Sequence, residues 1–293
     1  MLAQQLVNAL SLGSVYALFA LGFTLVFGVL GVINLSHGAI FMLGSYSALL
    51  LVEHFALPLW AALLVAMLVS GAIGLLVDFL VLKPLRARHA PHLAPMIASI
   101  GVAVMLTSLA QGLFGAENKR FPVGTIPDES WTWGGLHITA LQVGIVVISC
   151  VLMLVLLAIM RRTQLGRALR AIAESPRAAY LLGIDVEGLF YLTSFTAAAL
   201  GGAAGVLVGL SFNAISPFMG QPMLHKGIAV IILGGMGDIR GALIGGLFLG
   251  FAEVMTVAYI SSDLRDAVAF GLLFVILLVR PSGMFGKVLE RKA

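Results

Sequence analysis

Six long apolar stretches, each near the length of a helix that crosses a bilayer, constrain this chain more than any other feature. They cover 6–30, 58–82, 94–114, 138–160, 189–211 and 242–260. About 20 apolar residues in a helix span roughly 30 Å of hydrocarbon. Lipid offers no hydrogen-bond partners, so such segments must close their backbone bonds internally, as helices. Three shorter apolar segments, 37–52, 224–235 and 264–279, either cross or enter and return. The expected fold is therefore an all-α polytopic transmembrane bundle of about eight spans, or about nine where every short segment crosses, with short or broken helices. Residues 1–293 read as one transmembrane domain, because no polar stretch is long enough to fold alone. Composition agrees: only 10% of residues are charged and 60% are hydrophobic. Soluble domains carry about 25% charged residues. The 34 glycines suit close helix packing, as at Gly201, Gly202, Gly205 and Gly209, or Gly245, Gly246 and Gly250.

A net charge of +4 does not point to nucleic acid here, because the basic residues sit in short loops between apolar runs. They are better read as orientation signals. Lys83, Arg86 and Arg88 form one cluster, and Arg161, Arg162, Arg167, Arg170 and Arg177 a second. Arg280, Lys287, Arg291 and Lys292 form the tail. An even number of spans separates the first two clusters, so both lie on one side, and the positive-inside rule makes it cytoplasmic. The loop 115–137 then lies outside, with Trp131 and Trp133 suited to an interface belt. If 224–235 crosses fully, which is the favoured reading, the turn at 237–241 is cytoplasmic and the N-terminus is outside. The first helix lacks a basic leader and runs beyond a signal peptide's apolar core, so it is expected to be retained. Cys150 is the single cysteine and has no intrachain partner.

Segment 161–188 stands out among the loops. Leu165, Leu169 and Ile172 recur at helical spacing between basic residues, Ser175-Pro176 marks a turn, and a second helical stretch reaches Leu182. Gly183 is placed to end it. One reading is a solvated positive loop. The other is a docking element for a cytoplasmic partner. At about 28 residues the segment exceeds what two neighbouring spans need, which favours docking. Arg167, Arg170 and Glu174 are then the candidate coupling contacts.

Within the spans, Glu253 is the strongest ionisable candidate, since a carboxylate at membrane depth usually faces the bundle interior or a wet cavity. A place near the outer interface, or a structural hydrogen bond, explains it equally well. Asp78 lies near the Lys83 end of its span and is expected to pair there. His37 follows a break at Asn34, Leu35 and Ser36. Spacing favours an N-cap by Asn34 or Ser36. The alternative is a discontinuous helix whose free N-terminus lines a pathway. With Glu253, residues Asn34, Ser36 and His37 are the candidate pathway residues. A second break, 234–241, is glycine-rich, but the chain has no G-x-x-x-x-G-K-[ST] loop. His37-Gly38-Ala39-Ile40 and Arg240-Gly241-Ala242-Leu243 faintly echo each other, both opening a helix after a turn. HExxH, CxxC and G-x-S-x-G are absent, and the six histidines are scattered. Enzymatic activity, metal and cofactor are therefore not expected.

Three stretches resemble the permease subunits of bacterial ABC importers for branched-chain amino acids, the Liv-type family and its H-like branch. The first is Gly22-Phe23-Thr24-Leu25-Val26-Phe27-Gly28 with Val32-Ile33-Asn34-Leu35-Ser36-His37-Gly38 and Gly44-Ser45-Tyr46. The second runs from Thr163-Gln164-Leu165-Gly166-Arg167 to Leu182-Gly183-Ile184. The third is Leu233-Gly234-Gly235-Met236-Gly237-Asp238-Ile239-Arg240-Gly241-Ala242, then Tyr259-Ile260 and the tail from Val279-Arg280-Pro281-Ser282-Gly283 to Gly286. Asp238 stands where the resemblance leads one to expect a small polar residue. The resemblance implies a multi-pass permease of the bacterial inner membrane. Its implied partners are a homologous second permease, two ATP-binding subunits and a periplasmic substrate-binding protein. ATP hydrolysis would lie on separate subunits, in agreement with the missing nucleotide loop, and 161–188 would contact the ATPase. Branched-chain amino acids are the implied cargo, with urea or short amides as the alternative. An ATP-independent secondary transporter is the competing class, and would place more ionisable residues at mid-membrane than Glu253 alone.

Overall fold

The computed structural model describes residues 2–88, 90–91, 93–122, 124–125, 129–133, 135–280 and 283–285. Pro281, Ser282, Gly286 and the basic tail Lys287, Arg291 and Lys292 fall outside these residues, as does the side chain of Trp133.

Helix α1 (Leu2–Leu30) is the axis of the bundle. Its apolar residues run around the whole circumference, the pattern of a helix buried on every side, and every residue from Gly13 to Val26 is buried. Around α1 pack α6 (Ala140–Arg162), α9 (Val186–Phe212), α10 (Gly220–Gly234) and α11 (Ile239–Tyr259). A second layer is built on α9 by α2 (His37–Phe55) and α3 (Leu59–Val77). A π turn, Asp78–Leu82, carries α3 directly into α4 (Lys83–Ala87). Two further helices lie outermost: α5 (Leu93–Phe114) leans on α2, and α12 (Arg265–Val279) on α10 and α11. Exposed apolar side chains concentrate on α3, α5, α6 and α12, for example Leu64, Val104, Leu154 and Phe274, as expected of faces that meet lipid or another apolar chain.

The membrane bundle is all-α, as expected. Seven helices among the described residues are long and apolar enough to cross a membrane. These include α2, which the sequence read as a short segment. α10 and α12 are 15 residues each. Outside the bundle the loop before α6 forms a small antiparallel hairpin that sequence reasoning did not foresee, Ser130–Trp133 paired with Leu136–Thr139. Gln4 ties it to α1, donating to the His137 carbonyl and accepting from the His137 N–H, both at 2.8 Å.

The glycines act where helices approach most closely. Gly44 of α2 and Gly202 of α9 face each other, and a Cβ on Gly202 would collide with Ser70 of α3, so three helices meet at one small-residue contact. Buried Asp78 sits in the π turn and pairs with Arg86 at 2.7 Å and 3.1 Å. The expected pairing near the Lys83 end is thus made by Arg86, which also stacks 4.7 Å from the Phe190 ring centroid. Lys83 instead donates to the Tyr191 hydroxyl at 2.5 Å.

Candidate functional site

Two of the helices begin inside the bundle, and this creates the site. After α1 ends, Gly31 turns the chain at φ +68° and residues 31–36 run back inward. The Leu35 N–H donates to Ser99 Oγ at 3.0 Å, more than a turn into α5. Asn34 Oδ1 accepts from the Ser36 N–H at 3.1 Å and from Ser36 Oγ at 2.6 Å, a local turn that takes up both side chains. Ser36 occupies the N-cap position of α2 without a side-chain cap bond. The His37 ring lies between Phe19 and Phe23 of α1, with centroids 4.8 Å and 5.6 Å away. It also lies against Gly22 and Gly201, both well inside their helices. Ser36 thus stands at the N-cap position that spacing favours, and α2 opens on the buried His37.

α10 starts in a similar way. Asn213 ends α9 at φ 44°, Ile215 bonds the Lys119 backbone at 2.8 Å in both directions, and the chain then folds inward to Gly220. Gly220 meets Gly38 at the start of α2, while Gly234 at the other end of α10 meets Gly241 at the start of α11. A Cβ at any of the four would collide with the backbone opposite. The faint echo between the two helix openings therefore has a structural counterpart: each supplies the glycine on which one end of α10 rests.

One face of α10 borders a groove of about 660 Å³ shared with the start of α2 and the face of α5. Its walls are mostly apolar, with Leu35, Ile100, Val104, Leu224 and Ile228, and carry Thr107, Ser108, Gln111, Gln221 and His225 as polar groups. Asn34, Ser36 and His37 do not line it, although their neighbours Leu35, Gly38 and Ala39 do. His37 is buried, and its Nε2 has no partner among the described residues.

The opposite face of α10 carries Lys226 into a charged cluster. Lys226 Nζ donates to Glu253 Oε1 of α11 at 2.7 Å and to the Tyr16 hydroxyl of α1 at 3.1 Å, and lies 3.4 Å from Asp266. Arg265, at the start of α12, also pairs with Glu253 Oε1, and its Nη2 donates to Tyr16 at 3.3 Å. Glu253 is only 1% exposed, and its Oε2 has no partner among the described residues. Beside this cluster lies a second cavity of about 340 Å³, bounded by α1, α6, α11, the end of α9 and the start of α12. Glu253, placed with His37 by sequence reasoning, therefore belongs to a different cavity from the groove at the α2 opening. Sequence reasoning missed Lys226 and Arg265 as its partners, together with Asp266 and Tyr16, which contact those cations in turn. The available signal was Lys226 itself, a cation just inside a short apolar segment.

The candidate coupling segment lies at the other end of the bundle, between α6 and α9. It forms α7 (Gln164–Glu174) and α8 (Pro176–Leu181). Thr163 caps α7, accepting from the Gly166 N–H at 3.1 Å. Leu169 and Ile172 are buried, while Arg167 and Glu174 face outward. The Arg170 guanidinium donates to the Met160 carbonyl, satisfying the last turn of α6. Gly183, at φ +81°, follows α8. Beside it Tyr180, Leu181 and Leu182 are 72–80% exposed, an apolar tip among basic residues.

A family model described as the permease component of branched-chain amino acid transport systems matches residues 5–277. The chain belongs to this family. It is 35% identical over 297 residues to the high-affinity branched-chain amino acid transport system permease protein BraD of Pseudomonas aeruginosa, covering 97% of this chain and 95% of that protein. It is 34% identical to the corresponding permease protein LivH of Escherichia coli strain K12 over the same shares of each chain. The LivM permease protein of that strain is also similar, 26% identical over 314 residues, covering 97% of this chain and 71% of LivM. This chain is therefore a multi-pass inner-membrane permease component rather than an enzyme, and the resemblance read from its three motif stretches holds along nearly its whole length.

Proposed function

We propose that this chain forms one half of the membrane pathway of an ATP-driven importer of branched-chain amino acids. A homologous second permease supplies the other half, two ATP-binding subunits drive it from the cytoplasm, and a periplasmic binding protein delivers the cargo. The observation that carries this reading is the groove of about 660 Å³ between α2, α5 and α10. Its volume is that of a small-molecule site, and it lies beside α5, one of the two outermost helices. A mostly apolar wall with a few hydroxyl and amide groups suits an aliphatic side chain on a polar backbone. A second permease against α5 would complete the channel.

In this reading all nine membrane helices cross, with the N-terminus outside and α12 running back to the cytoplasm. α10, at 15 residues, crosses because its outer end starts below the surface, where the chain from Asn213 to Met219 folds inward. Asn34, Ser36 and His37 act by holding the opening of α2 at the groove. The basic loops put α7 and α8 in the cytoplasm, where Tyr180, Leu181 and Leu182 enter a cleft of the ATPase and Arg167, Arg170 and Glu174 frame the contact. Gly183 supplies the turn after this tip.

The test is reconstitution with candidate permease, ATPase and binding-protein partners, followed by ATP-dependent uptake of leucine against urea. Uptake of leucine that requires ATP is expected. Transport of urea instead, or transport of leucine that proceeds without ATP, overturns the reading. Charge reversal at Arg167 with Leu181→Asp is expected to abolish ATPase association; association and uptake that both survive remove α7 and α8 as the docking element.

A further inference from the structure

The corner where α3 runs into α4 holds a cation without an anionic partner. Lys83 follows the π turn, and its Nζ donates to the Tyr191 hydroxyl of α9 at 2.5 Å. The same ammonium lies over the Phe79 and Tyr191 rings, 5.4 Å and 5.1 Å from their centroids. A hydroxyl and two rings fix its position, yet none of them brings a countercharge. The carboxylates of this corner are engaged elsewhere: Asp78 holds Arg86 at 2.7 Å, and Glu187 lies 3.6 Å from Arg86 as well. No ion pair among the described residues includes Lys83.

Depth in the bilayer decides what such a cation can meet. Leu80, Phe79 and Leu76 stand three, four and seven residues before Lys83, the spacing of one helix face. All three are more than half exposed. The helix runs without a break from Leu59 to Ala87, and Trp60 is exposed near its start. At 1.5 Å per residue, Lys83 lies about 34 Å along the axis from Trp60. Hydrocarbon is roughly 30 Å thick, so these two residues reach opposite headgroup layers, with the exposed apolar face between them. An acyl chain laid along Leu76, Phe79 and Leu80 brings its headgroup to Lys83. The donors there are unspent. An ammonium has three N–H bonds, and one is used on Tyr191. The Tyr191 oxygen accepts from Lys83, which leaves its own O–H free to donate. Arg88, exposed at the end of α4, adds to the positive field. An anionic phospholipid carries in one molecule both the countercharge and the hydrocarbon that this face lacks. A protein chain covering the same face would have to bury a carboxylate of its own against Lys83.

We propose that Lys83 and Tyr191 form a headgroup seat for an anionic phospholipid, whose acyl chain lies on Leu76, Phe79 and Leu80. The seat is built from this chain alone and does not rest on the import reading.

The test is photolabelling of the full chain in phosphatidylcholine nanodiscs. These are doped with a trace of phosphatidylglycerol or phosphatidylcholine bearing the same diazirine acyl chain, and labelled peptides are quantified by mass spectrometry. On 76–80, phosphatidylglycerol should label at least fivefold more than phosphatidylcholine. On Val147, Val151 and Leu154 of α6, which are also exposed, the two should label within about a factor of two. Lys83→Gln should lower the ratio at 76–80 about fivefold, the factor that corresponds to about 1 kcal/mol for one basic residue at an anionic surface. Tyr191→Phe should lower it about threefold, as for one weak hydrogen bond. It also covers the case in which Lys83→Gln fails to fold, as read by size-exclusion profile and thermal melting. Inorganic phosphate in excess over the labelled lipid should leave the ratio unchanged. Equal labelling of 76–80 by the two lipids in the wild-type chain overturns the proposal. So does a ratio that survives Lys83→Gln in a folded chain, or Tyr191→Phe where Lys83→Gln does not fold. A ratio abolished by phosphate makes the seat one for a free anion, and a segment labelled by neither lipid gives the face to a second copy of the chain; either result overturns the proposal.

Discussion

The two faces of α10 meet surroundings of opposite character. On one side Leu224 and Ile228 border a mostly apolar groove that ends at an outer helix. On the other, two carboxylates, two cations and a tyrosine hydroxyl link α1, α10, α11 and α12. The apolar side has few directional contacts, so its walls can separate at little cost, as a pathway that opens and closes requires. The charged side is directional. Moving α10, α11 or α12 alone strands a charge in a medium of low dielectric. A single 15-residue helix therefore divides a surface suited to movement from one suited to holding a defined geometry.

The largest effect should come from filling the groove. Ser108 is exposed on the groove face of α5. Ser108→Trp should lower ATP-dependent leucine uptake about a hundredfold, roughly what blocking a positioned substrate removes. Melting temperature should change little, because Ser108 is exposed. Uptake within a factor of a few of wild type would place the pathway elsewhere, with the charged cavity next in line.

The charged face should respond in stability before transport. Lys226→Ala leaves buried Glu253 with Arg265 as its remaining cation, and breaking a buried pair by removing one partner costs about 3–5 kcal/mol. A clear drop in melting temperature is expected. Lys226→Met combined with Glu253→Leu should recover most of it, since a well-packed apolar pair often replaces an ion pair at no net loss. If both variants melt with the wild type, the cluster does not hold these helices and the contrast between the two faces fails on that side.

A third change tests whether the charged side depends on the tight packing beneath it. Gly202→Ala would press a methyl group onto Ser70, and overpacking of this kind costs about 1–3 kcal/mol. The effect should appear in melting and be additive with Lys226→Ala, because the two sites share no partner. A strongly non-additive pair would mean that the α2, α3 and α9 contact and the charged cluster move as one unit.

How much of this was legible in the sequence follows from the range of the forces involved. The long apolar runs announce α1, α3, α5, α6, α9 and α11 because crossing lipid is a local requirement, met residue by residue. The amphipathic spacing of Leu165, Leu169 and Ile172 likewise announces α7; Leu169 and Ile172 are buried, while Leu165 is exposed. α2 looked shorter than it is because Glu53 and His54 break the run while the helix continues to Phe55. The position of His37 could not be read locally. Spacing favoured an N-cap, and Ser36 does occupy that position, but the anchor of the chain before it is Ser99, 64 residues from Leu35. Glu253 was visible as an anomaly, yet its partners come from two other helices, α10 and α12, one of them 27 residues earlier. No local pattern reports which charge stands opposite another across a bundle.

The smallest predicted effect is the most direct test of the groove's character. Thr107 lines the groove beside Ser108 and is half-buried. Thr107→Val keeps nearly the same shape and removes one hydroxyl. If the groove selects cargo by apolar shape, the change forfeits at most a single weak hydrogen bond, worth about 0.5–1.5 kcal/mol. Leucine uptake should then fall by no more than about tenfold, because 1.4 kcal/mol corresponds to that factor. Discrimination among leucine, isoleucine and valine should be unchanged, since no aliphatic contact has moved. A hundredfold loss would mean that the hydroxyl and amide groups of the groove grip the cargo by directional bonds. The two faces of α10 would then differ in charge alone and no longer in how they hold what lies beside them.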